Sequence, residues 1–281
     1  MANDAPVENA VTVPDAPYLP TEDPRVVEST PLARAGWYDD GQHGGVVAAL
    51  LVRAVEAVPT LAPMEVSRIT VELFRKVPTV PLRTETRILR EGRRIQVVGV
   101  SASADGVELA RGTVLRLRAT DLDLPPSALP DEPTPPPPST VSAPDRSTWG
   151  VGPTDGRVMF HRHAIDIREV EGSFRELGPA AVWIRMTKPL VAGEDPGPVV
   201  RAVVAGDFAN GISRLLHSSD WVFMNADLTI HLHRLPRGTW IGLRAVTHLD
   251  RSGRGIAHAR LYDLDGPVGR STQTLFIDRR R

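Results

Sequence analysis

The polar residue best placed to do chemistry in this sequence is Asp207, in the stretch Gly206–Gly211 (GDFANG). The apolar residues that follow predict a helix with Asp207 at its start. The positive end of a helix dipole and its free N–H groups keep a nearby carboxylate ionised. An ionised carboxylate orients a water better than it donates a proton, although an aspartate at this position also serves as an ordinary helix cap.

An earlier stretch, Gly41–Gly45 (GQHGG), has the same build. Its glycines permit unusual backbone angles, and an apolar helix is predicted after it, over Val46–Val58. Gln42 stands where the later stretch has Asp207. The earlier stretch is therefore interpreted as a decayed second site that keeps a structural turn at His43.

The two stretches belong to a longer internal repeat. Further segments correspond in the same order and at nearly the same spacing: Arg68–Arg75 with Asp227–Arg234, Arg90–Ile95 with Arg251–Ile256, and Asp105-Gly106 with Asp265-Gly266. A chance match at four points in one order is improbable, so each half is expected to form one small domain.

Alternating apolar and polar residues predict strands that position these groups. In the first half they form an antiparallel meander over Arg68–Leu73, Leu82–Leu89, Ile95–Ala102 and Val107–Arg118. The matching segments of the second half end in a strand over residues 267–279. A helix and an antiparallel sheet in each half predict the α+β class.

Prolines divide the chain. Residues 119–150 carry nine of them, including the run Pro135–Pro138, which favours an extended surface spacer. The expected organisation is an N-terminal domain over residues 1–118, a linker over 119–150 and a C-terminal domain over 151–281. Residues 1–30 are acidic and proline-rich and are predicted to be a loosely ordered lead-in with one short strand.

Composition excludes several function classes. The 281 residues carry a net charge of -1, which favours neither nucleic acid nor an anionic membrane as partner. The absence of cysteine rules out disulfides, a thiolate nucleophile and thiolate metal sites. With neither a signal peptide pattern nor an apolar run near the ~20 residues of a membrane span, a cytoplasmic location is expected.

The repeat, the Gly-Asp-Phe turn at Gly206, the strand Asp227–Arg234 (DLTIHLHR) and Ser271–Thr274 (STQT) together resemble the type II acyl-CoA thioesterases. The resemblance covers nearly the whole chain except the N-terminus and the linker. It implies a double hotdog fold, in which two fused hotdog domains each wrap an antiparallel sheet around a long central helix. It also implies a homodimer or a higher homo-oligomer.

The resemblance further implies a catalytic site. In that family an aspartate, a serine or threonine on the following strand and a glutamine on the final strand orient and activate a water. Asp207 and Gln273 match the first and last positions, and Asn225 stands where the hydroxyl residue is expected. Asparagine still hydrogen-bonds a water, but through an amide with two donors and one acceptor oxygen.

Substrate contacts are expected at both glycine-rich stretches. The sequence His43-Gly44-Gly45 resembles the turn with which single-domain hotdog thioesterases hold a thioester carbonyl, and Phe208 and Gly211 flank Asp207. Thioester hydrolysis by an activated water requires no cofactor and no metal. The pairs His231/His233 and His161/His163 are spaced to share a strand face, but no further ligand at metal-binding spacing accompanies them.

Three functions remain open from the sequence. The first is an acyl-CoA thioester hydrolase that uses Asp207, Asn225 and Gln273. The second is a non-catalytic acyl-CoA or lipid-binding protein, because the third position departs from the family. The third is a hotdog hydratase or dehydratase, which the sequence disfavours because no histidine follows Asp207 within a few residues.

Overall fold

A computed structural model describes residues 12–36, 40–129, 132–144 and 156–280. Within these ranges thirteen strands form one antiparallel sheet. The strands are β1 Tyr18–Pro20, β2 Val26–Ser29, β3 Met64–Leu73, β4 Leu82–Arg90, β5 Ile95–Ala104, β6 Val107–Arg118, β7 Ile165–Glu171, β8 Ala180–Met186, β9 Trp221–Asn225, β10 Asp227–Leu232, β11 Trp240–Asp250, β12 Arg254–Asp263 and β13 Gly266–Arg279.

The strands on the two sides of the sheet's centre follow corresponding orders. From the central pair outward, one half runs β3-β6-β5-β4-β2-β1 and the other runs β10-β13-β12-β11-β8-β7. The centre is the antiparallel pairing of β3 with β10, where Ile69 lies opposite Ile230. β9 pairs with the far end of β13, where Asn225 lies opposite Leu275. The internal repeat of the sequence thus corresponds to two similar halves of one sheet.

Four helices accompany the sheet in the described ranges: α1 Gly44–Glu56, α2 Phe160–His163, α3 Pro198–Gly206 and α4 Ala209–Ser213. The long helix α1 is apolar on most sides because it packs against β4, β5 and β6 and also against α3. α3 begins with Pro198 at its first position. Proline has no backbone N–H, and an N–H at this position would have no acceptor within the helix. No helix in the described part of the chain is long and apolar enough to cross a membrane.

The strands predicted from alternation are confirmed. β3, β4, β5 and β6 contain the predicted segments and extend them by at most a few residues. The turn between β5 and β6 lies at Asp105-Gly106, which both adopt positive φ angles of 50° and 75°. Helix α1 was predicted over Val46–Val58 and lies over Gly44–Glu56, a shift of two residues at each end.

The helix predicted to follow Asp207 is only the five-residue α4, Ala209–Ser213, and the longer helix lies before this aspartate. α3 starts nine residues earlier and ends at Gly206, so that Asp207 follows the helix and lies between α3 and α4. At this break the N–H of Phe208 bonds to the carbonyl of Ala205, three residues back. α3 is short, and seven of its nine residues are buried.

Residues 12–30 are more ordered than predicted, because they contain both β1 and β2. The side chain of Tyr18 is fully buried, and its hydroxyl donates a 2.6 Å hydrogen bond to Gln42. Residues 1–11 of the predicted lead-in lie outside the described ranges. The expectation that His161 and His163 share one face of a strand is also wrong, since both lie in helix α2.

The described parts of the proline-rich segment, residues 119–129 and 132–144, contain no strand and no α-helix. They include two short 3-10 turns, at Pro126–Ala128 and Pro138–Thr140. The carbonyl of Pro136 accepts a 2.7 Å hydrogen bond from the Trp183 indole, so this segment lies against β8. Residues 130, 131 and 145–150 of the predicted linker are outside the described ranges.

Candidate active site

The carboxylate of Asp207 is the centre of the site and accepts hydrogen bonds from four donors. Its Oδ1 accepts from the Asn225 side-chain amide at 2.9 Å and from the Gln273 side-chain amide at 2.8 Å. Its Oδ2 accepts from the backbone N–H of Gly45 at 2.6 Å and lies 3.1 Å from Nδ1 of His43. An ionised carboxylate offers about four acceptor positions, and here the protein itself occupies all of them.

Asp207 was expected at the N-terminus of its own helix. It lies instead at the N-terminus of α1, which belongs to the other half of the chain. His43 is the N-cap of α1, and Gly45 lies in its first turn. The interpretation of the earlier glycine-rich stretch as a separate, decayed site is therefore wrong, because His43, Gly44 and Gly45 meet Asp207 in one site. Gln42 is no counterpart of Asp207, since it precedes α1 whereas Asp207 follows α3.

The glycines of this turn allow the close approach. A Cβ at Gly45 would lie 2.8 Å from the Asp207 Cβ and 3.1 Å from Oδ2. A Cβ at Gly44 would lie 3.3 Å from Oδ2 and 3.2 Å from the Leu73 side chain. Side chains at these two positions would push α1 and the carboxylate apart.

The carboxylate sets the tautomer of His43. Its Nδ1 lies 3.1 Å from Asp207 Oδ2 and 3.2 Å from the N–H of Gly45. Since the ionised carboxylate only accepts, we assign the proton to Nδ1, and the Gly45 N–H then donates to the nearer carboxylate oxygen. The imidazole also packs against Phe208 and Phe160, with ring centroids 4.9 and 5.5 Å away, which fixes its plane.

Gln273 lies behind the carboxylate on β13 and is fully buried. Its amide nitrogen donates to both the backbone carbonyl of Asp207, at 2.9 Å, and Oδ1. Its amide oxygen accepts from the N–H of Asn210 at 3.2 Å. With both ends of its amide engaged, Gln273 holds Asp207 and the start of α4 in place and leaves no group free for a water.

Asn225 ends β9, next to the interruption at Ala226 that separates β9 from β10. It is partly exposed and lines a cavity. One N–H of its amide points to Asp207, so its carbonyl oxygen and second N–H remain to contact a bound molecule.

The pKa of Asp207 reflects opposing influences. Burial raises it, but the hydrogen bond and charge of His43, the N–H of Gly45 and the amide of Asn225 outweigh burial and lower the pKa below its usual 3.8. The carboxylate is therefore ionised at neutral pH. Such a group orients donors strongly and takes up a proton only from a partner in direct contact.

The cavity in front of Asp207 has a volume of about 370 Å³. Of the predicted residues, Asp207, Asn225, His43, Gly44, Phe208 and Gly211 line it, whereas Gln273 and Gly45 lie behind the wall. Residues that the sequence did not single out complete the lining, among them Phe74, Arg75, Lys76, Phe174, Asn210, Phe223 and Phe276.

Asn210 is a buried polar lining residue that sequence reasoning missed. It lies within the stretch Gly206–Gly211, three residues after Asp207, and this closeness in sequence was the available signal. Within the described ranges, no three side chains of the histidine, aspartate or glutamate type gather as they would around a metal ion.

The fold is shared with solved structures. The chain matches acyl-CoA thioesterase II TesB2 from Mycobacterium marinum with 17% identity and a TM-score of 0.64, covering 93% of this chain and 95% of that one. It also matches a conserved protein with hot dog fold from Alicyclobacillus acidocaldarius, with 17% identity and a TM-score of 0.69, covering 95% and 97%. At these identities the likeness shows the hotdog fold.

Sequence comparison extends this likeness to a family. No curated protein matches the chain. A model of the acyl-CoA thioesterase N-terminal domain matches residues 33–117, and a model of the acyl-CoA thioesterase C-terminal domain matches residues 126–277. The second match alone spans more than half of the 281 residues. The chain therefore belongs to the acyl-CoA thioesterase family.

Proposed function

We propose that this protein hydrolyses acyl-CoA thioesters to a free acid and CoA, with a water oriented at Asp207 by Asn225 and with Gln273 as the support of the carboxylate. The convergence of four donors on one buried carboxylate at the wall of a cavity carries this proposal. A protein rarely holds an ionised carboxylate so firmly next to an open cavity without using its charge.

The water enters from the cavity, where it meets Asn225 before it meets the carboxylate. When the Asn225 amide turns toward the water, its oxygen accepts one proton of the water, and Asp207 Oδ1 gains a free acceptor position for the other. The water oxygen then attacks the thioester carbon while its proton passes to Asp207. Gly45 and His43 keep the second carboxylate oxygen fixed throughout this step.

The developing oxyanion requires a donor near the same carbon. The N–H of Gly44, in the first turn of α1, has no acceptor among the described residues and lines the cavity. The positive end of the α1 dipole adds to its effect. When the tetrahedral intermediate collapses, the C–S bond breaks and CoA leaves as the thiolate. Asp207 returns its proton to the departing thiolate, directly or through a water, and the acid remains.

The cavity is suited to an acyl-CoA. Phe74, Met224 and Phe276 at its mouth are about half exposed, and Arg75 and Lys76 are exposed beside them. These cations can accompany the phosphates of a CoA head group outside the cavity, while the acyl chain enters among buried aromatic side chains.

A second candidate is the binding of acyl-CoA without turnover. It is favoured by the saturation of Asp207, since a water must displace one of the four donors before it reaches the carboxylate. A hydroxyl in place of Asn225 would present one donor instead of two and would turn more freely.

We further propose that the two halves of the sheet are the two hotdog domains of a double hotdog, over residues 1–118 and 151–281. The mirrored strand order and the packing of α1 against α3 support this division. A homodimer or larger homo-oligomer and a cytoplasmic location complete the proposal, as the family resemblance and the composition imply.

Release of free CoA thiol tests the proposal. The purified protein is mixed with acyl-CoA thioesters of increasing chain length, and thiol is detected with a chromogenic disulfide. Turnover well above the spontaneous rate is expected for at least one chain length. Acyl-CoA that binds or co-purifies without thiol release would favour the second candidate.

A further inference from the structure

Phe174 is a cavity-lining residue that comes from a surface loop. The loop, residues 172–179, connects β7 to β8, and Gly172 and Arg175–Leu177 on either side of Phe174 are exposed. Phe174 itself is 4% exposed and lines the cavity. The phenyl ring is therefore turned inward from the loop and forms part of the cavity wall close to the protein surface.

Ring contacts lead from the carboxylate of Asp207 to Phe174. Nδ1 of His43 lies 3.1 Å from Asp207 Oδ2, and the His43 ring packs on Phe208 with centroids 4.9 Å apart. The Phe208 ring in turn meets Phe174 edge-on, with centroids 6.5 Å apart. Phe276 at the mouth is about half exposed, whereas Phe174 and Phe208 are buried. Phe174 therefore belongs to the inner part of the cavity, two ring contacts beyond His43.

A buried arginine holds the loop in this position. Arg214 is 4% exposed, and its guanidinium donates to the carbonyl of Phe174 and, at 3.2 Å, to the carbonyl of Gly211 in α4. The N–H of Gly178 donates to the Arg214 carbonyl at 2.9 Å, and the N–H of Phe174 donates to Oε1 of Glu169 at 2.9 Å. The loop is thus fixed on both sides of the phenyl ring.

The charge of Arg214 has no role in the proposed chemistry. No carboxylate in the described part of the chain pairs with it, and burial lowers its pKa. A buried cation without a counter-ion destabilises a fold, and an apolar side chain of similar volume is the more stable alternative. The contribution specific to the guanidinium is therefore the pair of hydrogen bonds that fastens the Phe174 backbone to α4.

Resting on the proposed function, we propose that Phe174 sets the longest acyl chain that the cavity accepts, and that Arg214 positions it. With the thioester at Asp207 and the CoA head group at the mouth, the acyl chain extends over Phe208 toward Phe174. Each methylene that becomes buried strengthens binding about fourfold. This gain ends where the chain meets the phenyl ring, because a longer chain has to displace the anchored loop.

The test measures binding without turnover, so that it does not depend on hydrolysis. Isothermal titration calorimetry compares S-alkyl-CoA thioethers, which cannot be hydrolysed, from butyl-CoA to hexadecyl-CoA. The affinity of the wild-type protein is expected to rise with chain length and to stop rising at one limiting length. Affinity that rises over the whole series, or no binding of any thioether, would overturn the proposal.

Phe174→Ala opens this end of the cavity toward the surface, so the limiting length should increase. A chain about two carbons beyond the wild-type limit is expected to bind the variant about tenfold more tightly than the wild type. Phe174→Leu, with a smaller loss of volume, should shift the limit in the same direction by less. An unchanged limit in both variants would contradict the assignment to Phe174. A shifted limit without any thiol release would count against the proposed hydrolysis alone.

Two further variants separate the inner wall from the mouth and from the fold. Phe276→Ala removes a phenyl ring at the mouth and should weaken binding of all lengths by a similar factor, with the limit unchanged. Arg214→Met removes the donors that hold the loop and should lengthen the limit, whereas Arg214→Lys keeps one donor group and should shift it less. Arg214 variants that lose stability but keep the wild-type limit would contradict the positioning role.

Discussion

The carboxylate of Asp207 accepts a 2.6 Å hydrogen bond from the backbone N–H of Gly45, so a residue of the second half caps the first helix of the first half. These two residues are 162 positions apart in sequence. The same carboxylate meets His43 from the first half and Asn225 and Gln273 from the second. The candidate site therefore exists only where both halves of the sheet are folded and packed together.

Gly45 should not tolerate a side chain. In Gly45→Ala the new Cβ would meet the Asp207 Cβ at 2.8 Å and the carbonyl oxygen of Val204 at 3.2 Å. We expect a loss of about 1–3 kcal/mol in the free energy of unfolding, together with a large loss of thiol release. Denaturant unfolding and the thiol assay measure the two effects.

Gly99→Ala is the matched control for this variant. Its Cβ would meet only the exposed side chain of Leu89, at 3.3 Å, which can move. Stability and activity should stay near wild type in this control. A Gly45→Ala protein with wild-type stability and rate would contradict the close contact of α1 with Asp207.

The lowered pKa of Asp207 predicts an acid-sensitive part of the stability. A carboxyl with a lower pKa in the folded than in the unfolded state stabilises the fold above its unfolded pKa, about 3.9. This contribution is lost as the pH falls through the lowered pKa of the folded state. The free energy of unfolding of the wild type should therefore exceed that of Asp207→Asn at pH 6, and the gap should narrow below about pH 4.

Urea unfolding of both proteins at several pH values between 6 and 3 measures this gap. Carboxylates other than Asp207 are common to both proteins, so their titration cancels in the difference. A difference in unfolding free energy that stays constant to pH 3 would mean that the folded protein does not preferentially stabilise the ionised form of Asp207.

Gln273 is expected to act through Asp207. In Gln273→Leu the carboxylate and the start of α4 lose the amide that fixes them. Displacement of a reacting group by about 1 Å lowers rates by about 10²-fold, so we expect kcat to fall by that order while KM changes little. Steady-state thiol release separates the two constants.

Gln96→Leu provides the control, because Gln96 is also fully buried in a strand but donates to the carbonyl of Pro59, away from the cavity. This variant should lose stability without a comparable loss of kcat in the folded fraction. Equal losses of kcat in both variants would show that Gln273 has only a structural role.

Asn225→Thr should increase turnover. The substitution removes the amide donor at 2.9 Å from Asp207 Oδ1 and supplies a hydroxyl with a single donor. A water then reaches the carboxylate without displacing a protein donor. The activation free energy falls by about the worth of one hydrogen bond, which raises kcat roughly fivefold. A lower kcat in Asn225→Thr, with the fold intact by circular dichroism, would show that the asparagine amide itself is required.

Much of the sheet was predictable from the sequence because its strands are half-buried and alternate in polarity. β5, with alternating partly exposed and buried residues, is such a strand, and Asp105-Gly106 has the residue types that a tight hairpin turn requires. Only one short strand was predicted in the region that holds β1 and β2, because three or four residues are too few to show a period. Helix α3 was missed, and it is only nine residues long.

The sequence predicted which residues form the site better than it predicted their arrangement. Asn225 and Gln273 each donate a hydrogen bond to Asp207, whereas the catalytic role of the three residues stays a prediction. The contact of His43 with Asp207 was not predictable, because it depends on the packing of α1 against α3 across the two halves. A repeat seen in sequence indicates two similar units, but it does not show that both contribute to one site.

The most direct test of the proposed hydrolysis is the effect of Asp207→Asn on thiol release, with Asp263→Asn as control. Asp263 is also buried and ionised, but it binds Arg234 away from the cavity, so its variant should affect stability more than the rate of the folded protein. At a pH where both variants are folded, kcat/KM should fall by at least about 10²-fold in Asp207→Asn alone. Hydrolysis by Asp207→Asn at the wild-type rate would contradict the proposed role of this carboxylate.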